Sequence, residues 1–499
     1  MTTADDSLHI YNSLAKKKQP FKSIEDHYVG MYVCGPTVYG EPHLGHARSA
    51  ITFDVVFRFL KHKGYKVRYV RNITDVGHLE DEVQGAGEDK IAKKARLESL
   101  EPMEIVQTYT VDYHKAMDTL NVLRPSIEPT ATGHIGEQIE VIQDILKKEY
   151  AYEVNGSVYF DMSRYTKDYQ YGQLSGKVIE DLIAGSRKLD GQDEKKNPVD
   201  FALWKKAKPE HIMKWDSPWG KGFPGWHLEC TAMSKKYLGF PFDIHGGGMD
   251  LQFPHHEGEI AQSYGVCGCQ PVNYWMHNNM VTLEGQKMAK SKGNFITLKE
   301  LFSGSHKLLD QAYSPMTVRF FMLQSHYRSS IDFSNEALKA AEKGLKKLLT
   351  AGKYLAGFVH QQKNIDKDLN QEIAKLCNDC EKHMNDDFNT ALVLGALFEL
   401  ASKINAFYNE QIKLEVLSDD TFGLLTTTFN QFTYEVLGLL PEESDDNNTL
   451  DEVMTILINL RKQARANKDF ALSDQIRDEL LKVGVQLKDE KDKTVYSIA

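Results

Sequence analysis

Gly30-Met31-Tyr32-Val33-Cys34-Gly35-Pro36-Thr37-Val38-Tyr39-Gly40-Glu41-Pro42-His43-Leu44-Gly45-His46 begins like a strand and ends like the start of a helix. Gly30 to Cys34 is a short apolar run of the length of a buried strand, and Gly35-Pro36-Thr37 is its exit turn. From about Leu44 to Lys63 apolar residues recur at helical spacing. Gly64 follows, with Lys61, His62 and Lys63 in the last turn, where a glycine cap and positive charge both suit a helix C-terminus. Tyr65 to Ile73 then reads as a second strand. Strand, helix, strand is a βαβ unit and implies a parallel sheet, which binds its ligands beyond the carboxyl ends of the strands.

Outward from this unit, about Glu88 to Leu120 is helical with one polar face. Ser126 to Asp216 is less regular and Tyr-rich, with a polar loop from Gly191 to Asn197, and reads as an insertion between two halves of the sheet domain. The apolar, glycine-punctuated pattern returns from Gly225 to Trp275. Ser334 caps a helix to about Gly352 whose surface carries Lys339, Lys343, Lys346 and Lys347. Helical periodicity runs to Leu440, and Pro441 to Asn448 is a polar linker. The last fifty residues read as helix, basic loop, helix stopped by Gly484, and an extended tail. The expected domains are 1–125 and 217–280 for the two halves of an α/β core, 126–216 for the insertion, 281–335 for a loop-bearing region, 336–440 for a helical bundle, and 449–499 for a small terminal domain.

The chain's 499 residues are enough for about three domains. It is 41% hydrophobic and 26% charged, and no apolar run reaches the roughly 20 residues of a membrane span. The polar, acidic start argues against a secretory or mitochondrial leader. Six cysteines do not make a disulfide framework, so a reducing cytoplasm is expected. Sixty Lys and Arg against 70 Asp and Glu leave a net charge of −10, which excludes a globally basic nucleic-acid protein but not a local basic surface. Residues 461–499 run against this sign, with nine basic and seven acidic side chains.

The chemistry sits at the strand ends. A helix N-terminus at His43-Leu44-Gly45-His46 offers N–H groups and a positive dipole end to a polyphosphate. His43 and His46 are three apart and share a helix face, Gly45 leaves room for a nucleotide, and two imidazoles there suit a leaving pyrophosphate. Lys287-Met288-Ala289-Lys290-Ser291, with Gly285 before and Gly293 after, fits a mobile loop whose two lysines close over a triphosphate. No G-x-x-x-x-G-K-[ST] sequence offers a Walker loop instead. Together the two motifs resemble those of the class I aminoacyl-tRNA synthetases, with Ala289 in place of the first serine of the lysine loop. The resemblance implies a Rossmann-type catalytic core that forms an aminoacyl-adenylate from ATP and Mg²⁺.

Three further stretches resemble the cysteinyl-tRNA synthetase family within that class. They are Gly225-Trp226-His227-Leu228-Glu229-Cys230, His245-Gly246-Gly247-Gly248-Met249-Asp250, and Phe253-Pro254-His255-His256-Glu257. Gly35-Pro36-Thr37-Val38-Tyr39 and Asn273-Tyr274-Trp275-Met276-His277 agree. In that family the positions of Cys34, Cys230, His255 and Glu259 hold one Zn²⁺. A helix started by Pro254 would place His255 and Glu259 on one side, with His256 and Glu257 pointing elsewhere. Two thiolates, an imidazole and a carboxylate form a reasonable zinc shell. Zinc acidifies a bound thiol from its free pKa of about 8.5, so it can separate cysteine from serine where a shape-selective pocket cannot. The substrate thiolate would add a fifth ligand or displace Glu259.

The resemblance further implies that Trp226 walls the amino-acid pocket and that Gly35 and Thr74 hold the substrate. Gly246, Gly247 and Gly248 would let ATP lie close, and Asp250 would bind the nucleotide or the substrate amine. L-cysteine, ATP and tRNA(Cys) are the implied partners of a monomer that needs no membrane. Arg461, Lys462, Arg465, Lys468 and Arg477 would meet RNA phosphates, and Phe470 reads as core. Cys267, Cys269, Cys377 and Cys380 lack metal-site spacing. Two other readings compete: a relative that joins cysteine to a small amine, and a non-catalytic synthetase-like RNA-binding protein. The long helical and basic region after Asn335 weighs against the first. The survival of both phosphate motifs and all four metal positions weighs against the second.

Overall fold

The computed structural model describes residues 7–76, 79–81, 86–177, 194–209, 211–288, 293–441, 446–467, 469–489 and 494–498. Its centre is a parallel sheet of four strands: β1 (Tyr28–Val33), β2 (Lys66–Arg71), β3 (Phe242–Gly248) and β4 (Val272–Asn278). Their order is β4-β3-β1-β2, and every pair is parallel. The chain leaves β1 through α1 (Leu44–His62) to form β2 on one side. It returns as β3 on the other side of β1, so the order reverses between β1 and β3. A doubly wound sheet opens its ligand crevice at such a point. Cys34 N–H donates to Gly246 O at 3.1 Å there, so the two strand ends stay paired up to the crevice.

α1 is buried along most of its length because Leu44, Ala47, Ile51, Phe53, Val56 and Leu60 recur at helical spacing. It lies so close to β3 that a Cβ on Gly246 would sit 2.3 Å from the Phe53 ring. α2 (Leu228–Leu238) and α3 (His255–Cys267) carry the remaining motifs, and both start at the carboxyl end of the sheet.

The insertion is more regular than its sequence suggests. Helix Ile135–Lys147 precedes an antiparallel sheet of Ala151–Val154, Ser157–Phe160, Phe201–Lys206 and Gly222–Pro224. The sheet runs past Asp216 because Gly222–Pro224 pairs with 204–206. These elements bury their own core around Trp204, Phe160 and Ile142. Part of the polar loop (191–193) lies outside the described residues. The expected helix from Glu88 to Leu120 is two helices, Lys90–Glu98 and Pro102–Thr119, after a strand Ala86–Asp89. Ser99 takes a left-handed conformation, and Pro102 starts the second helix where its missing N–H costs nothing.

Ser334 caps the helix Asn335–Ala356 through Ala337 N–H, and the helix outruns its expected end by one turn. Lys367–Asn385, Thr390–Tyr408 and Asp419–Asn430 complete the bundle. Thr390–Tyr408 is long and apolar enough to cross a membrane, but Val393, Leu397, Leu400 and Ile404 are buried in the same core as α1. Residues 441–499 form a separate compact unit. In it, helices Asp446–Ala466 and Phe470–Lys482 lead through Gly484 at φ +83° into a hairpin, Val485–Asp489 with Thr494–Ile498. The expected extended tail is therefore paired. Phe470 is 62% exposed, against its core reading, whereas Arg461 is buried instead of facing RNA. Lys468 lies outside the described residues. Cys267 and Cys269 form a disulfide, which the cysteine count did not suggest. The other four cysteines are free thiols.

Candidate active site

A cavity of about 540 Å³ opens at the carboxyl ends of β1 and β3. Cys34 and Gly35 line one part of it, and His43, Gly45 and His46 another. Gly35 is required by a close approach: a Cβ there would sit 1.5 Å from the Asn72 carbonyl. Its N–H donates to Asn72 Oδ1 at 2.9 Å. Gly248, Asp250, Asn278 and Met288 also face the cavity.

His43 is not a helical residue but the N-cap of α1. Its Nδ1 accepts from Gly45 N–H at 3.1 Å, and its own N–H donates to His46 Nδ1 at 3.4 Å. The two rings stack at 3.8 Å. An imidazole whose Nδ1 accepts carries its proton on Nε2. The capping geometry therefore makes the Nε2–H of each ring the donor. Loss of water around the His46 ring and the neighbouring His43 hold the His46 pKa well below the ordinary range, so this ring is neutral near pH 7.

Lys287 ends a two-residue strand, Gln286–Lys287, that pairs with Val281–Leu283. Its side chain, and all of Ala289, Lys290 and Ser291, lie outside the described residues. The loop's neighbours are placed: Met288 and Phe295 line the cavity, and Phe295 packs edge-on to the His43 ring at 4.9 Å.

The four expected metal ligands converge. One donor atom from each of Cys34, Cys230, His255 and Glu259 lies within 4.8 Å of the others. Cys34 Sγ is 3.5 Å from Cys230 Sγ and 3.9 Å from Glu259 Oε1, and His255 Nε2 is 3.3 Å from that same oxygen. Cys230 is in the first turn of α2 and His255 opens α3, so two helix N-termini favour negative charge here. Burial, with Glu259 and Glu229 near, nevertheless pushes the Cys34 thiol up to about 12, and Cys230 is raised well above its ordinary value. Thiols this dry ionise only when a cation repays the charge. Soft sulfur donors with imidazole and carboxylate are the chemistry zinc selects. The residues fit the metal.

One expectation fails at this cluster. His256 does not point elsewhere: its Nε2 is 3.3 Å from Cys34 Sγ, and a second group of Cys34, His245, His256 and Glu259 is as tight as the first. His256 is three residues before Glu259 and His255 four, so all three share one face of α3, and His256 Nε2 is 3.9 Å from Glu259 Oε1. Glu257 does point away, accepting from Gly172 N–H and Ser175 N–H in the insertion at 2.9 Å each. His256 Nδ1 meets His277 Nε2 at 2.8 Å, and His277 Nδ1 meets Ser13 Oγ at 2.8 Å. His245 Nε2 holds the second Glu259 oxygen at 2.9 Å. Outer partners of this kind orient ligands. His245, His256 and His277 all stand in stretches that the sequence singled out, but spacing alone did not mark them.

Thr74 and Trp226 are not among the residues that line the cavity. The Thr74 hydroxyl donates to Glu229 Oε1 at 2.7 Å, and Asn72 Nδ2 donates to Thr74 Oγ1 at 3.0 Å. Trp226 is buried in the insertion's core beside Trp215. A Cβ on Gly247 would sit 2.8 Å from the His256 ring. Gly246 and Gly247 thus serve close packing inside the protein, and of the three glycines only Gly248 lines the cavity.

Comparison with known proteins fits this geometry. Residues 20–343 match the tRNA synthetases class I (C) catalytic domain, and residues 380–441 the DALR domain. A cysteine–tRNA ligase of Porphyromonas gingivalis is 58% identical over 97% of this chain and 98% of its own. That of Cytophaga hutchinsonii is 59% identical over the same shares. The chain belongs to the cysteine–tRNA ligase family. Chlorobaculum tepidum has a more distant member, 48% identical over 98% of this chain and 99% of its own. Among solved structures, Mycobacterium tuberculosis methionyl-tRNA synthetase in complex with methionyl-adenylate has a TM-score of 0.53 at 15% identity, covering 82% of this ligase and 89% of that chain. A putative arginyl-tRNA synthetase of Campylobacter jejuni reaches 0.55 at 14% identity, over 85% and 94%. These two share the fold of this ligase.

Proposed function

We propose that the ligase activates L-cysteine with ATP, releasing pyrophosphate, and passes the cysteinyl group to the 3′-terminal adenosine of tRNA(Cys), releasing AMP. The observation that carries this reading is one cavity lined both by Cys34 of the thiol cluster and by the His43–His46 pair. An amino acid held by its sulfur near Cys34 would present its carboxylate toward a nucleotide lying on α1. The Nε2–H donors of His43 and His46 would take the phosphate oxygens, and the α1 N-terminus would add its dipole. Lys287 and Lys290 would close from the opposite side, with Mg²⁺ carried by the ATP. Gly45, Gly248 and Asp250 would border the nucleotide, and Gly35 the amino acid. Thr74 and Trp226 would support that pocket from behind.

Zinc held by Cys34, Cys230, His255 and Glu259 would bind a thiol as thiolate and an alcohol only weakly. The enzyme's own part is positioning and charge stabilisation, with no covalent enzyme intermediate. The bundle's Lys343, Lys346 and Lys347 are exposed, as are Lys462, Arg465 and Arg477 of the terminal unit; they would meet tRNA phosphates. A reducing cytoplasm suits the free thiols, and the Cys267–Cys269 bridge runs against that placement.

Purified tRNA(Cys) should accept cysteine from this enzyme with ATP. A preference for a small amine acceptor over tRNA would overturn the reading.

A further inference from the structure

We infer that Arg48 is a positioning residue for the reaction, fixing the wall that carries the lysine loop against the helix that carries His43 and His46. The inference rests on the reading of those two motifs as opposite walls of the nucleotide site.

Arg48 follows His46 by two residues on α1, and 2% of it is exposed. Among the described residues, no carboxylate is bonded to its guanidinium. Nη1 donates to Met322 O at 2.6 Å, and Nη2 donates to His326 O at 2.8 Å and Ser329 O at 3.2 Å. Burial brings its pKa down only to about 10, so it stays charged at neutral pH. A planar cation with several donors is the side chain that can gather carbonyls spread over eight residues; lysine is a single point.

What those carbonyls hold gives the contact its meaning. Segment 322–329 leads directly into strand Ile331–Phe333, which pairs in parallel with Val281–Leu283. Asn279 N–H donates to Tyr327 O at 2.8 Å, and Asn279 Nδ2 donates to Arg328 O at 2.9 Å. Asp332 Oδ1 then accepts from the Thr282 hydroxyl at 2.6 Å and from Gly285 N–H at 2.8 Å, fixing the turn just before Lys287. On the far side of the loop, Leu298 N–H donates to Pro42 O at 2.8 Å, one residue before His43. The loop is thus tied to the start of α1 on both flanks, by backbone at Pro42 and by Arg48 through 322–332. Without the Arg48 tie, the flank before Lys287 keeps its packing against α1 but loses the hydrogen bonds that fix its register to the histidines. A shift of about 1 Å in such a constellation can cost on the order of 100-fold in rate.

The test is a double-mutant cycle read by cysteine-dependent ATP–pyrophosphate exchange. Arg48→Met is made alone and in a Lys287→Ala/Lys290→Ala background, with His46→Asn as reference. The expected result is a fall of roughly 10- to 100-fold in kcat for Arg48→Met, with the KM for cysteine and the zinc content unchanged. In the lysine-free background the same change should cost less than about threefold, because coupled residues are not additive. Equal losses in both backgrounds, or a lower Tm with kcat intact, would overturn the inference. If His46→Asn and the lysine variant both leave exchange intact, the reading of the walls fails and the inference falls with it. Should Arg48→Met not fold, Arg48→Lys carries the same cycle: it keeps the charge and loses the span.

Discussion

At the cluster of thiols, the chemistry turns on which atoms can give up a proton. Cys230→Ser replaces a soft donor with a hard one at a buried position, so zinc binding should fall at least tenfold in equilibrium dialysis. Retention of full zinc affinity would show that the second grouping, Cys34, His245, His256 and Glu259, holds the metal instead. His46 yields a prediction with a definite sign. Its ring is held neutral in the fold, whereas an unfolded histidine protonates near pH 6.5. The folded state therefore keeps its full advantage above about pH 6.5 and loses it as pH falls below. Tm should drop less steeply between pH 6.5 and pH 5 in His46→Gln than in the parent, and parallel curves would contradict this. Much of the site was legible at this scale because Cys34, Cys230, His255 and Glu259 stand in recognisable stretches. His256 was misread because the i,i+4 pair was followed and the i,i+3 pair His256–Glu259, which shares the same helix face, was not. Thr74 is bonded to Glu229 and Trp226 packs in the insertion's core, and a sequence motif marks such a neighbourhood without giving the layer a side chain occupies.

Elements show how a motif does two jobs. His43 caps α1 and is proposed to bind phosphate as well, and substitutions can separate the two. His43→Asn keeps a cap acceptor and loses the Nε2–H, so stability should hold while exchange slows by about tenfold or more. His43→Ala should lose both, with a stability cost of about 1 kcal/mol by chemical denaturation. Deeper in α1, Asp54 accepts from Arg58 Nε at 2.8 Å and is also bonded to Arg319, which is itself fully buried. Arg319 also donates to Leu437 O at 2.7 Å, tying the end of the bundle to α1. Removing one partner of such a pair strands the other, so Asp54→Ala should cost about 3–5 kcal/mol. A cost below about 1 kcal/mol would show that the node is dispensable. The βαβ unit could be read in advance because its strands bury their carboxyl-terminal halves, 31–33 and 69–71, and its helix carries clear end signals. The insertion could not, because its strands are only three to six residues long and the longer connection between them is polar.

Across the whole molecule, the proposed sulfur-selective centre and nucleotide site lie in one compact unit that ends at Leu440, and residues 441–499 form a second. A chain ending at Leu440 should keep cysteine-dependent pyrophosphate exchange and lose most of its tRNA charging. Equal losses in both would show that the terminal unit supports the adenylation site itself. The most direct measurement is pyrophosphate exchange with cysteine and with serine, on zinc-loaded enzyme and on enzyme stripped by a chelator and reloaded. Exchange should occur with cysteine alone, disappear on stripping, and return with one zinc per chain. Serine supporting exchange as well as cysteine does, or cysteine exchange surviving complete removal of the metal, would contradict this.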